Sequence, residues 1–238
     1  AGSFLVAWIM FLLLWSIPLI IAEYVLGRQS RKGTVGAFAH FMGKPFAFLG
    51  GFVGFVSTAI AFYYSVIVGW NIYYFGSMTF NALPNTTETS WEIWNNFQDG
   101  SFPILFHAIA MSVGGFAIYK GVSSIEKVNR ILIPTLLAIV LLSVVRALML
   151  PGSMAGITYL FTPDWSQLKE PRIWLEALTQ NAWDTGAGWG LFLTYAIYIK
   201  KRYGVIKNAF TVAIGNNLVS LMAAIMIFST VFSILGNE

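Results

Sequence analysis

The chain has 238 residues, of which 57% are hydrophobic and only 10% are charged, and its formal net charge is +4. A soluble domain has about 25% charged residues, so this composition indicates an integral membrane protein. The sequence contains no cysteine, which excludes disulfides, thiol catalysis and thiolate metal sites.

Six apolar segments are close to the length of about 20 residues that a bilayer requires. They cover residues 4–26, 45–79, 103–119, 131–150, 174–199 and 205–235. The second and the last exceed a single span, which indicates tilt or extension into water. Continuous apolar runs do not alternate in the way that barrel strands do. The sequence therefore predicts an all-α polytopic membrane protein with six transmembrane helices, forming a single membrane domain over residues 1–238.

The basic residues are concentrated in every second connection between these segments. Eleven of the 14 Lys and Arg residues lie after the first, third and fifth segments. The connection from Phe80 to Phe102 has none, and it carries Glu88, Glu92 and Asp99. Because basic loops remain in the cytoplasm, the pattern predicts a multi-pass protein of the cell membrane with its N-terminus outside.

The fifth segment contains an acid and three glycines in an otherwise apolar run. Asp184 is followed by Gly186, Gly188 and Gly190. Intramembrane acids usually mark ion or substrate pathways, and glycine allows backbone angles that a helix forbids. These glycines are two apart and cannot share one helix face, which argues against a simple packing motif. We expect a discontinuous helix near residues 185–190 and a binding site at the middle of the membrane.

Several other polar side chains have both a functional and a structural interpretation. Asp184 can ligate a cation or compensate charge, and it can equally pair with a cation on another helix. Asn216 and Ser220 share one helical face at i, i+4, where helix–helix hydrogen bonding is the alternative role. Glu23 is a second intramembrane acid, and its position near Arg28 predicts an ion pair. The sequence has no zinc-protease, nucleophile-elbow or phosphate-loop motif, so we expect no enzymatic activity.

Three stretches resemble the neurotransmitter:sodium symporter family. The stretch 161–174, with Thr162-Pro163-Asp164 and Trp174, resembles the loop before the sixth helix of that family. The run from Gly2 to Gly27, with Ile17-Pro18-Leu19 and Glu23, resembles its second helix, and Phe62-Tyr63-Tyr64 followed by Trp70 resembles its third. The match continues in order along the whole chain.

The resemblance implies helices two to seven of about twelve, within a five-plus-five inverted-repeat transporter fold. The family's first helix, which carries much of its substrate and sodium coordination, and its eighth helix are not represented. We therefore expect both ends, Ala1 and Gly236-Asn237-Glu238, to be cuts in a longer chain. A fragment of this kind is not expected to transport by itself.

The resemblance also implies a set of site residues. It assigns substrate binding to Ile60, Tyr64, Trp183, Gly186, Gly188 and Trp189, sodium binding to Asp184 and Asn216, and chloride-site positions to Gln180 and Ser220. At the Asp184 position the family usually has Ser or Thr. A carboxylate still suits a hard cation, but its added charge can strengthen sodium binding, accept a proton or admit a divalent cation. At a further chloride-site position, Trp8 replaces the tyrosine that the family has.

The function implied by the resemblance is sodium-coupled symport of a small amino-acid-like solute. The expected partners are that solute and membrane lipid, with no nucleic acid. Asp184 keeps open a calcium-linked cation transporter of the same fold. A non-transporting membrane protein that kept the fold, such as a receptor or chaperone partner, is the alternative from another class. The sequence leaves open the substrate, the sodium stoichiometry, the need for chloride and the oligomeric state.

Overall fold

The computed structural model describes residues 1–200 and 203–235, and this part of the chain is helical with no β-strand. Lys201 and Arg202 of the predicted basic loop, and Gly236–Glu238 at the end, lie outside the described residues. The α-helices are α1 (Gly2–Phe11), α2 (Ile17–Ser30), α3 (Thr34–Met42), α4 (Ala47–Phe80), α5 (Thr87–Gln98), α6 (Phe102–Ile118), α7 (Val122–Leu148), α8 (Ser153–Phe161), α9 (Pro171–Thr185), α10 (Leu191–Ala196) and α11 (Val205–Leu235). The all-α prediction is confirmed for these residues.

Four helical stretches are long and apolar enough to cross a membrane, and a bent pair can supply a fifth. The four are Gly2–Ser30, Lys44–Phe80, Val122–Leu148 and Val205–Ile234. The bent pair is α5 with α6, which meet at 70°. The predicted count of six is not reached in the described residues, because α6 has only 17 residues and the segment 174–199 is divided between α9 and α10.

Three helices lie where the hydropathy pattern predicts only connections. These are α3 in the first basic loop, α5 in the acidic loop and α8 before the Thr-Pro-Asp stretch. The start of α5 has a local cause, since the Thr86 hydroxyl accepts a 3.2 Å hydrogen bond from the Thr89 N–H. Such an N-cap replaces one of the helical acceptors that a first turn lacks. Hydropathy detects long apolar runs, and it therefore misses α3 and α8, which have nine residues each, and the polar α5.

The first span changes its winding just before Pro18. Residues Leu12–Ser16 form a π-helical turn, and the Ile17 N–H donates to the Leu12 carbonyl. Proline has no N–H to continue the ladder of i to i−4 bonds, and a single π turn is a common local response. Pro18 is thus preceded by a π turn, whereas Pro134 lies inside α7.

The described chain divides into two compact units. The first comprises Ala1–Ser57 with the chain from Pro134 onward. Its larger core gathers buried residues of α2, α10 and α11, among them Ile20, Ala196 and Ala209. A Cβ on Gly27 would collide with the backbone carbonyl of Leu193. Glycine at this position therefore lets the backbones of α2 and α10 approach closely.

The second unit, Thr58–Ile133, is held together by aromatic contacts. Phe97 of α5 is fully buried and stacks on Tyr73 of α4 with ring centroids 4.1 Å apart. Ser65 on α4 lies 2.9 Å from Nε2 of His107 on α6. A Cβ on Gly69 would lie 2.9 Å from the His107 backbone nitrogen. These contacts pack α4 tightly on α6.

Candidate functional site

The fifth predicted span is a broken helix. Helix α9 ends at Thr185 and α10 begins at Leu191. Between them Gly186, Gly188 and Gly190 have φ angles of 63°, 88° and 72°. Side chains other than glycine rarely adopt these left-handed angles. The predicted discontinuity near residues 185–190 is therefore confirmed, and we call residues 186–190 the broken segment.

The carboxylate of Glu23 holds the backbone of the broken segment and the start of α10. Its Oε1 accepts hydrogen bonds from the N–H groups of Gly188 at 2.6 Å and Gly190 at 3.2 Å. Its Oε2 accepts from the Leu193 N–H at 3.2 Å. In an uninterrupted helix these three donors would bond to carbonyls four residues earlier. Glu23, which is only 5% exposed, thus replaces the helical acceptors that the break removes.

The predicted ion pair between Glu23 and Arg28 is wrong. The Arg28 Nη1 instead donates to the backbone carbonyl of Tyr203 at 3.0 Å. Charge proximity along a helix suggested the pair, but the carboxylate is occupied by amides that lie 165 to 170 residues away in sequence. The sequence signal that could have predicted the partners of Glu23 is the break itself, because backbone N–H groups freed in a membrane need a buried acceptor.

Asp184 lies at the end of α9 in a different environment. Its Oδ1 accepts a 2.7 Å hydrogen bond from Nε2 of Gln180. Its Oδ2 is buried and has no hydrogen-bond partner among the described residues, and Nε1 of Trp8 is in the same condition. Trp8 and Ser220 face the carboxylate, although neither forms a hydrogen bond of ordinary geometry with it. One acceptor and one donor thus face each other at this position, and they can pair with each other, with water or with a ligand.

A cavity of about 200 Å³ adjoins the Asp184 carboxylate. Its lining residues are Phe4, Leu5, Trp8, Gln180, Asp184, Ser220, Leu221 and Ala224. The structure thus brings together Asp184, both predicted chloride-site positions and Trp8 from three separate helices. We call this the Asp184 cavity.

Asn216, predicted together with Asp184 as a sodium ligand, does not line the Asp184 cavity. It is half-buried on α11, one turn before Ser220. Its neighbour Asn217 is the buried asparagine of this helix, and its Nδ2 donates to the Ala213 carbonyl at 3.0 Å. Of the predicted sodium ligands, Asp184 thus lines this cavity, and Asn216 lies one helical turn from Ser220, which also lines it.

Asn181 is a buried polar residue that sequence reasoning missed. Its Nδ2 donates to the Trp8 carbonyl at 2.8 Å, and its Oδ1 accepts from the Ser16 hydroxyl at 3.3 Å. The Thr185 hydroxyl lies 3.3 Å from the Ser16 oxygen and completes the network. These bonds fix the end of α9 to the π turn of the first span. Asparagine in an apolar helix is the only sequence signal for this role.

The structure places four of the six predicted substrate-binding residues around the break. Trp183 and Trp189 have ring centroids 5.1 Å apart at an interplanar angle of 86°. Gly186 and Gly188 lie between them in the chain. Ile60 and Tyr64 are on the part of α4 that belongs to the second unit.

The described residues contain no cluster of three or more His, Cys, Asp or Glu side chains that could hold a metal ion. A cation at Asp184 would therefore need carbonyl and hydroxyl oxygens as its remaining ligands, which hard cations accept. The carbonyl of Asp184 itself has lost its helical donor, because the Gly188 N–H bonds to Glu23. The break thus provides oxygen atoms suited to an alkali cation beside a carboxylate.

Comparison with known proteins gives a consistent result. The chain is 31% identical to an uncharacterized sodium-dependent transporter of Methanocaldococcus jannaschii, over 96% of this chain and 48% of the relative. It is 28% identical to a sodium-dependent neutral amino acid transporter of Homo sapiens, over 96% of this chain and 36% of that protein. It also matches the crystal structure of MhsT in complex with L-phenylalanine, with a TM-score of 0.86 and 30% identity over 98% of this chain and 54% of the other.

These relatives are transporters and not enzymes, and this chain spans about half the length or less of each. The model of the sodium:neurotransmitter symporter family matches residues 1–100 and 102–237. Since the match covers nearly every residue, this chain belongs to the sodium:neurotransmitter symporter family.

Proposed function

We propose that the full-length protein is a sodium-coupled symporter of a neutral amino acid, with its binding site at the broken segment. The observation that carries the proposal is the half-satisfied carboxylate of Asp184, which adjoins a cavity and a non-helical backbone. The names of the relatives support the class of function, since they describe a sodium-dependent transporter and a neutral amino acid transporter.

The proposed substrate contacts are the six residues that the family resemblance assigns to substrate binding. Trp183 and Trp189 would form apolar walls, and backbone groups at Gly186 and Gly188 would meet the charged groups of an amino acid. Ile60 would add apolar surface, and the Tyr64 hydroxyl would donate to the substrate carboxylate. The bound L-phenylalanine of the matched structure supports a substrate of this size and polarity.

Asp184 and Asn216 are the proposed sodium ligands, with backbone carbonyls of the break completing the shell. The carboxylate would also make chloride unnecessary. The amide of Gln180 already donates to Asp184 at 2.7 Å, so a donor of the predicted chloride site is occupied by a fixed anion. A second anion in the same cavity would be repelled strongly because the dielectric there is low.

Transport would proceed by alternating access in the cell membrane, with the N-terminus outside and the basic loops in the cytoplasm. The segment that contains the break would move with one helix bundle relative to a scaffold that includes α6 and α7. Substrate and lipid are the proposed partners.

The proposal is tested by amino-acid binding to the purified full-length protein in sodium chloride and in potassium chloride at equal ionic strength. We expect binding of a neutral amino acid only in sodium, and a need for a higher sodium concentration to reach the same binding in Asp184→Asn. Asp99→Asn, which changes an exposed acid, is the matched control and should bind as the wild type does. Binding that is equal in both salts would contradict sodium coupling. Binding that requires calcium would instead favour a calcium-linked transporter, and an absence of binding of any amino acid would favour a non-transporting protein.

A further inference from the structure

The carbonyl of Trp189 has an unusual partner. In a continuous helix it would accept a hydrogen bond from the Leu193 N–H. That N–H instead donates to Oε2 of Glu23 at 3.2 Å. The Trp189 carbonyl accepts a hydrogen bond from the side-chain hydroxyl of Ser57, which lies on α4. The same rearrangement that gives Glu23 its donors therefore leaves a carbonyl for Ser57.

Ser57 has a second acceptor within reach. Its Oγ lies 3.0 Å from the Val53 carbonyl, four residues earlier in α4. A serine hydroxyl carries one proton, and back-bonding to the i−4 carbonyl is a common state of serine in helices. The hydroxyl can therefore donate to the Trp189 carbonyl or to its own helix. Turning from one to the other leaves the hydroxyl satisfied in both cases.

The hydrogen bond lies where α4 and the broken segment are in close contact. A Cβ on Gly190 would be 2.5 Å from Cγ2 of Thr34 and 2.9 Å from Cγ1 of Val53. Thr34 belongs to α3 and Val53 to α4, so the Val53 side chain is the point at which α4 contacts the broken segment here. A small rotation of the Ser57 hydroxyl is thus sufficient to make or break the hydrogen bond between them.

We propose that Ser57 is a positioning residue that reversibly ties the broken segment to α4 through the Trp189 carbonyl. When the hydroxyl donates to Trp189, the segment and the Trp189 ring are held in one position. When it donates to Val53, the segment is free to move and the Trp189 carbonyl is available to another donor. The assignment rests on the proposed function, because it gives Ser57 control over the segment that would contact the substrate.

The test compares Ser57→Thr with Ser57→Val in the full-length protein, since the two side chains have nearly the same shape and differ in the hydroxyl. Ser112→Ala is the matched control, because within the described residues the Ser112 hydroxyl bonds to the carbonyl four residues earlier in its own helix, at 2.7 Å. The first measurement is hydrogen–deuterium exchange of the peptide that spans residues 186–196. The second is the dissociation rate of a bound neutral amino acid.

We expect Ser57→Val to speed exchange of that peptide and to raise the dissociation rate by about 3- to 10-fold, the effect of losing one ordinary hydrogen bond. Ser57→Thr should remain near the wild type, and Ser112→Ala should change neither quantity. Unchanged exchange in Ser57→Val, or equal behaviour of the Thr and Val variants, would overturn the proposal. Because the exchange measurement needs no substrate, it judges Ser57 even if the protein binds no amino acid, and a failure there leaves sodium-dependent binding untouched.

Discussion

Two intramembrane acids of the first unit, Glu23 and Asp184, differ in how completely their oxygens are used. Both oxygens of Glu23 accept hydrogen bonds from backbone N–H groups. Only one oxygen of Asp184 has a partner in the described chain, and that partner is the side chain of Gln180. Three of the roughly four acceptor positions of the Glu23 carboxylate are filled by backbone N–H groups, whereas one whole oxygen of Asp184 has no partner in the described chain. The comparison assigns a structural role to Glu23 and leaves Asp184 for ion chemistry.

The largest expected effect comes from removing the Glu23 carboxylate. Glu23→Ala leaves three backbone N–H groups in a buried site without their acceptor, and each such loss costs about 1–3 kcal/mol. We expect poor recovery of folded full-length protein and a melting temperature far below that of the wild type. Glu23→Gln, which keeps one acceptor oxygen, should be intermediate. Glu92→Ala, an exposed acid on α5, is the control, and equal melting of the Glu23 and Glu92 variants would refute the structural role.

Asp184→Asn should separate function from stability. The substitution keeps the size of the side chain and removes the charge, so we expect the apparent sodium affinity to fall by roughly 10- to 100-fold, which corresponds to about 1.4–2.7 kcal/mol. The melting temperature without sodium should change little, because one oxygen is unpaired already. Sodium titrations of substrate binding and thermal melts of the same samples provide both values. A large loss of stability with normal sodium affinity would reverse the roles that we give to the two acids.

Asn181→Ala tests the network that holds α9 beside the two carboxylates. The side chain is fully buried and bonds to the Trp8 carbonyl and the Ser16 hydroxyl. Its loss should cost about 1–3 kcal/mol, since those partners are left unsatisfied. Thermal melts should show a decrease smaller than that of Glu23→Ala. Thr179→Ala, which removes a hydroxyl bonded only within its own helix, should have a weaker effect.

The smallest effect concerns an acid outside the membrane. Hydrogen bonds from the Ser166 hydroxyl and N–H, at 2.7 and 3.0 Å, hold the pKa of Asp164 below its usual range. The folded carboxylate therefore stays charged to lower pH than the unfolded one, and its stabilisation is complete above the unfolded pKa of about 3.9. It is lost as the pH falls through the folded pKa. The difference in melting temperature between wild type and Asp164→Ala should be constant near neutral pH and shrink below about pH 4. A difference that grows as the pH falls would contradict this sign.

The sequence predicted the break well, because its cause is local. Three glycines at alternate positions after Asp184 determine the backbone angles with little help from the rest of the chain. The pairing of Gln180 with Asp184 also follows from helical spacing, since residues four apart face each other. Ser220 and Trp8 were assigned to chloride-site positions by the family resemblance, and both line the Asp184 cavity.

The partners of Glu23 and Asn181 could not be predicted, because they lie on elements far away in the chain. An acid near Arg28 suggested an ion pair, and only the packing of α2 on α10 shows that backbone amides take its place. The predicted count of six spans is a separate matter, since four or five stretches of the described residues are long and apolar enough to span. Hydropathy measures how much apolar sequence is present, and it does not detect the 70° bend between α5 and α6 or the short length of α6.

The most direct test of the account is uptake by the full-length protein with chloride replaced by gluconate, in the wild type and in Asp184→Ser. If Asp184 supplies the charge of the ion site, wild-type uptake should be the same in both salts. Asp184→Ser, which frees the Gln180 amide and introduces a neutral hydroxyl, should transport only in chloride. Wild-type uptake that collapses in gluconate would contradict the assignment of the half-satisfied carboxylate.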